Sequence, residues 1–127
     1  MNKIHTTIEQ SKKLIELGVG IDTADMYYMY RHWEIDENTV GAQSDAHIGF
    51  DSDFYYGVDN GKTYHYIPAW SFTALINVLP QGTRLLKSTI DDTYHCDCPK
   101  GNIDKWFDNP IDACVEMIIK LKERNIL

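Results

Sequence analysis

Between residues 54 and 66 the sequence reads FYYGVDNGKTYHY. Asp59, Asn60 and Gly61 tolerate the positive φ that a tight turn demands, and they sit between two aromatic, strand-forming runs. The segment therefore reads as a β-hairpin. Alternation puts Phe54, Tyr56 and Val58 on one face of its first strand, and Tyr64 and Tyr66 on one face of its second. A hairpin commits its strands to antiparallel pairing, so a doubly wound parallel sheet is not expected.

Other segments join this sheet. MYYMYRHWE, residues 26–34, is dense in strand-forming aromatics and reads as a strand. Residues 36–50 carry glycines and acids without a period and read as loop. TRLLKSTIDDTYHCDCPKGNIDKWF, residues 83–107, reads as strands divided by two turns, at Asp91-Asp92 and at Pro99 to Asn102.

Three helices are expected. The first spans residues 7–17. Both Thr6–Glu9 and Thr7–Gln10 have capping-box spacing, Ile8, Leu14, Ile15 and Leu17 supply an apolar stripe, and Gly18 suits the left-handed position past the end. The second follows Ser71 in IPAWSFTALINVLPQG: Phe72, Leu75, Ile76 and Leu79 recur at helical spacing, and Pro80 and Gly82 stop the run. Trp70 and these four are expected to pack on the sheet. The third follows Asn109, with Pro110 at the first helical position and Asp112 near the positive end of the dipole. Ile111, Cys114, Val115, Ile118 and Leu121 share one face, and Lys120, Lys122 and Arg124 fill the last turn. The order is helix, strands, helix, strands, helix: an α+β domain over residues 1–127, an antiparallel sheet of hairpin-linked strands with about three helices packed on it.

Charge narrows the function. The net charge is −7 over 127 residues. Residues 22–59 hold nine acids and one base, Arg31. Phosphate-binding surfaces have the opposite sign, so direct nucleic-acid binding is not expected. No apolar run reaches the ~18–20 residues of a membrane span, and the N-terminus has no apolar core of a secretory signal. Three cysteines make no disulfide framework. A cytoplasmic location away from the membrane is expected. Within the acidic stretch, Asp36, Glu37, Asp45, Asp51, Asp53 and Tyr55 form a candidate acidic and aromatic binding surface.

Candidate chemistry is sparse. Ser71 lacks the G-x-S-x-G context of a nucleophile elbow and stands where a helix cap belongs. Asp51, Asp53 and Asp59 cluster, but tyrosines and a lysine occupy positions where a calcium loop needs a ligand, a glycine and a glutamate. YHCDCP offers His95, Cys96 and Cys98 as metal ligands. A strand points Cys96 and Cys98 the same way and His95 the other, and structural zinc sites favour wider paired spacings. No cofactor motif is present.

Three pieces carry a resemblance: TIEQSKKLIELGVGIDTADM from Thr7, IPAWSFTALINVLP from Ile67, and DNPIDACVEMIIKLKERNIL from Asp108. In this order, over a little under half of the chain, they resemble small, uncharacterised proteins of prophages and mobile elements in Bacteroides-type bacteria. The resemblance implies a bacterial, accessory setting and transfers no catalytic or binding residue. The expected function is protein–protein contact without catalysis, with an unknown protein partner and self-association left open. The alternatives are an acidic mimic of DNA that inhibits a host DNA-binding protein, and a small metal site at Cys96 and Cys98.

Overall fold

The structure, a computed structural model, describes residues 3–33, 47–49, 57–59 and 62–127. Among them are three α-helices, a short 3-10 turn at Ile21–Thr23, and seven strands in two antiparallel sheets. The α+β expectation holds, with the strands divided between two sheets.

The first sheet has strands β1 (Met26–Trp33), β2 (His47–Gly49), β3 (Gly57–Asp59) and β4 (Lys62–Ala69), in the order β2-β1-β4-β3. The predicted hairpin is β3–β4, with Asp59 opposite Lys62 and Gly57 opposite Tyr64. Phe54, Tyr56 and the turn residues Asn60 and Gly61 lie outside the described residues. The expected loop over 36–50 ends in a strand: His47–Gly49 pairs with Tyr27–Met29 of β1. Three residues of β2 are too short for a sequence period to reveal. Pro68 sits within β4, where it cannot donate to a ladder. Among the described residues β3 pairs with Lys62 to Tyr64, while Pro68 stands opposite Tyr27 of β1.

The second sheet has β5 (Arg84–Lys87), β6 (Tyr94–Cys98) and β7 (Gly101–Asn102), in that order. The expected turn at Pro99–Asn102 is tighter: Pro99 and Lys100 make the turn, while Cys98 pairs with Gly101. Residues 103–107 add one bridge, in which Tyr94 and Phe107 exchange backbone bonds of 2.7 and 2.8 Å.

Helix α1 runs over Ile8–Glu16. Of the two capping boxes offered, Thr7–Gln10 is the one made: Gln10 N–H donates to Thr7 Oγ1 at 3.1 Å and Thr7 N–H to Gln10 Oε1 at 3.0 Å. The Thr6 hydroxyl is otherwise engaged, accepting from Trp70 N–H at 3.0 Å and meeting Ser11 Oγ at 2.8 Å. Thr6 and Ser11 are fully buried, so each hydroxyl needs such a partner. Past the helix, Gly18 takes φ 93°. Its N–H donates to Ile15 and that of Val19 to Leu14, both at 3.0 Å, which is a Schellman closure sealed by buried Leu14 and Val19.

Helix α2 covers Phe72–Val78 and α3 covers Pro110–Glu123. Trp70, Leu75 and Leu79 are buried, with Phe72 and Ile76 partly so. The neighbours of α2 are chiefly α3 and the 3-10 turn. The Trp70 ring is completely enclosed, and its indole N–H donates to Thr23 Oγ1 at 2.9 Å, as a buried indole requires.

Helix α3 is the axis of the core, touching α1, α2, β6 and β7. Its five expected apolar positions are all buried, and Ala113 and Met117 are buried besides. Partners on several sides widen the stripe. Asn109 caps it by accepting from Asp112 N–H at 2.8 Å. Asn125, at φ 55°, closes its far end, with Asn125 N–H donating to Lys122 at 3.0 Å and Ile126 N–H to Leu121 at 2.8 Å. Strand β7 lies so close to α3 that a Cβ on Gly101 would stand 2.7 Å from Leu121 Cδ2.

Candidate functional site

Asp36, Glu37, Asp45, Asp51, Asp53 and Tyr55 lie outside the described residues. The candidates that fall within them meet at the second sheet and at the entry of α2.

Strand β6 sorts its residues by alternation. Cys96 and Cys98 face inward, 3% and 5% exposed, and belong to the core around α3. His95 and Asp97 face the other way. The His95 Nδ1–H donates to the Lys105 carbonyl at 3.1 Å, and its ring lies against Trp106 with centroids 5.2 Å apart and planes 32° from parallel. The strand thus keeps His95 apart from the two cysteines. Among the described residues no group of three or more His, Cys, Asp or Glu side chains is placed to hold a metal ion.

The inward thiols have a different neighbour. Cys114, fully buried on α3, belongs to the same core as Cys96 and Cys98. Hydrogen bonding with Cys114 lowers the Cys96 pKa from the usual thiol value, against burial and the nearby Asp97 carboxylate, which raise it. Cys114 is raised well above the ordinary range by the same bond, by burial and by the charge that Cys96 acquires first.

The outward face forms a small apolar and charged surface. Leu86 stands opposite His95 across the β5–β6 ladder and is 38% exposed, while Trp106 beside His95 is 44% exposed. Arg84 and Asp97, also opposite one another, are joined by a 2.6 Å ion pair. At the β5–β6 turn Ile90 is 92% exposed. Sequence reasoning singled out none of Arg84, Leu86 or Trp106. The available signal was Trp106 itself, a large aromatic in the polar stretch NIDKWFDN that belongs to no apolar period.

Ser71 is an N-cap. Its hydroxyl accepts from Ala74 N–H at 3.3 Å and donates to Asp25 Oδ2, while its own N–H donates to Asp25 Oδ1 at 2.9 Å. His5 pairs with Ser71 through the backbone, but its ring turns to Tyr28, whose hydroxyl lies 2.9 Å from Nδ1 and donates to the Thr6 carbonyl at 2.8 Å. A base aimed at the Ser71 hydroxyl is what nucleophilic catalysis needs, and the partner in place is the Asp25 carboxylate, which holds the cap. Burial raises the Tyr28 pKa from its ordinary value, keeping the phenol protonated as a donor.

No helix among the described residues is long and apolar enough to cross a membrane. Comparison with family models, with curated proteins and with solved structures finds no match for this chain.

Proposed function

We propose that this chain is a non-enzymatic accessory protein of phage or mobile-element origin, acting through contact with another protein. The observation that carries the reading is the outward face of the second sheet. Trp106 lies against His95 and is open to solvent, Leu86 stands opposite His95 on β5, and the Arg84–Asp97 pair forms a charged border. An apolar centre with a polar rim, built on Trp and Arg, is the composition of interface hot spots. The acidic run of residues 22–59 supplies a second, electrostatic element that steers a basic partner toward the molecule.

The test is affinity capture from a bacterial lysate with the wild-type chain, with Trp106→Ala plus Leu86→Ala, and with a charge-reversed chain in which Asp36, Asp45, Asp51 and Asp53 become lysine. A specific partner lost from the first variant supports the reading. The same proteins recovered at the same yield by all three chains would sink it. Loss confined to the charge-reversed chain, together with a steep decline of binding in salt, instead favours the mimic of a polyanion.

A further inference from the structure

We propose that this chain self-associates through the open edge of its second sheet, with β5 of one copy pairing antiparallel to β5 of another and joining the two three-stranded sheets into one. The proposal goes beyond contact with a different protein and does not depend on it. The edge follows from hydrogen-bond parity. Ser88 N–H donates to the Thr93 carbonyl at 2.9 Å, and this pair continues the β5–β6 register in which Arg84 faces Asp97. Hydrogen-bonded pairs alternate in an antiparallel ladder, so Arg84 and Leu86 bond to β6, while the N–H and C=O of Leu85 and Lys87 point away from it. Tyr94, opposite Lys87, fits this parity: its own N–H and C=O exchange bonds with Phe107 on the far side of β6. Among the described residues β6 is the one strand paired with β5, and Arg84, Leu86 and Lys87 are exposed. An edge with unpaired backbone groups is a template for another strand.

The residues along the edge select a second copy and one register. A two-fold axis between the two Leu86 residues sets Leu85 of each copy opposite Lys87 of the other, so every outward N–H and C=O of β5 finds a partner. Leu86, 38% exposed, then meets its own copy as a non-hydrogen-bonded pair, about 4.5 Å between Cα atoms, and both side chains lose apolar surface to water. Arg84 stands opposite Ser88, so no like charges oppose one another across the two strands. An axis at Lys87 would set two ammonium groups face to face. An axis at Leu85 would pair Lys87 with Thr83, whose N–H already donates to the Pro80 carbonyl. The Lys87 ammonium is drawn over its own chain, with Nζ 5.9 Å from the centroid of the Tyr94 ring. This pairing also sets the outward faces of the two copies, each with its Trp106, on one side of a continuous sheet.

The experiment is sedimentation equilibrium of the purified full-length chain, kept reduced, over a concentration series. The apparent mass should rise from that of one chain toward that of two. Lys87→Pro removes an outward N–H and leaves the bonds to β6 in place, so this variant should stay at the mass of one chain with unchanged circular dichroism. The register is read from Leu86→Cys oxidised in air with copper phenanthroline. It should give a covalent dimer, because the paired Cβ atoms stand within reach of a disulfide. Lys87→Cys, facing Leu85, should stay uncrosslinked under the same treatment, and the native Cys96, Cys98 and Cys114 are buried. A single-chain mass at every concentration, a dimer that survives Lys87→Pro, or crosslinking through Lys87 in place of Leu86 would overturn the proposal. Leu86→Cys keeps the test decisive if Lys87→Pro does not fold. No other protein is present in these measurements, so their failure leaves the capture of a different partner untouched, and failure of that capture leaves the dimer untouched.

Discussion

The two faces of strand β6 share one backbone and have opposite fates. On the inward face Cys96 and Cys98 lie against α3 with almost no exposed surface, while on the outward face His95 stacks on a half-open Trp106 and Asp97 pairs with Arg84. A motif that looks continuous in sequence, Tyr-His-Cys-Asp-Cys, is therefore two half-motifs in space. The strand period of two is the cause. Inward side chains are held by packing and respond to volume. Outward side chains are wetted and respond to partners and charge.

That contrast is open to direct attack by substitution. The largest effect is expected on the helix surface that covers the inward face. Leu121→Ala opens a cavity at a fully buried site and should cost about 2–5 kcal/mol in urea unfolding. Next is Gly101→Ala, whose new methyl would meet Leu121 Cδ2 at 2.7 Å, with Met117 Sδ 3.7 Å away. Overpacking there should cost about 1–3 kcal/mol, and a neutral result would show that β7 retreats from α3 easily.

A smaller, pH-dependent effect belongs to Asp112 at the partly buried start of α3. Burial raises its pKa, but hydrogen bonds from Lys3, Gln10 and Asn109 outweigh this and hold it below the usual carboxylate value. A carboxyl lowered by folding contributes stability above its unfolded pKa, and that contribution is lost as pH falls through the folded value. Asp112→Asn should therefore be less stable than wild type near neutrality, with the gap closing in acid. Urea midpoints measured from about pH 6 down to pH 2 check this, and a gap that widens in acid would reverse the assignment.

The smallest effects belong to the outward face. Leu86→Ala and Trp106→Ala should each change stability by no more than about 0.5 kcal/mol while weakening capture of a partner. A large loss of stability from either would dissolve the contrast between the faces, because it would make the outward residues part of the fold.

Much of the helical structure was legible locally. Asn109, Pro110 and Asp112 announce the start of α3, Ser71 and Pro80 bracket α2, and Gly18 ends α1, because caps and stops depend on hydrogen bonds and dihedrals within a few residues. The left-handed Asn125 escaped notice, since asparagine is a weaker signal than glycine for that position. Strand β2 escaped because three paired residues show no period, and the strand expected through residues 103–107 shrank to one bridge. The candidate metal set was legible as residue types and spacing. Its partition between the two faces followed from alternation, but the enclosure of Cys96 and Cys98 in one core with Cys114 of α3 did not, since no local window holds both elements.

By itself, then, the sequence determined what short-range physics can settle: where helices begin and end, that β3 and β4 form a hairpin, and that the strands are antiparallel. The tertiary structure alone decided which competing local options were used. Thr6 and Thr7 offered equivalent capping boxes, and Thr7 caps because the Thr6 hydroxyl is taken by Trp70, 64 residues away. Asp112 was legible as a helix-start acid, yet its bonds to Lys3 and Gln10, both 2.7 Å long, span 109 and 102 residues. Division of the strands into two sheets and enclosure of α3 on several sides belong to the same class. Burial and polar satisfaction are properties of the assembled core, and no local window contains both partners.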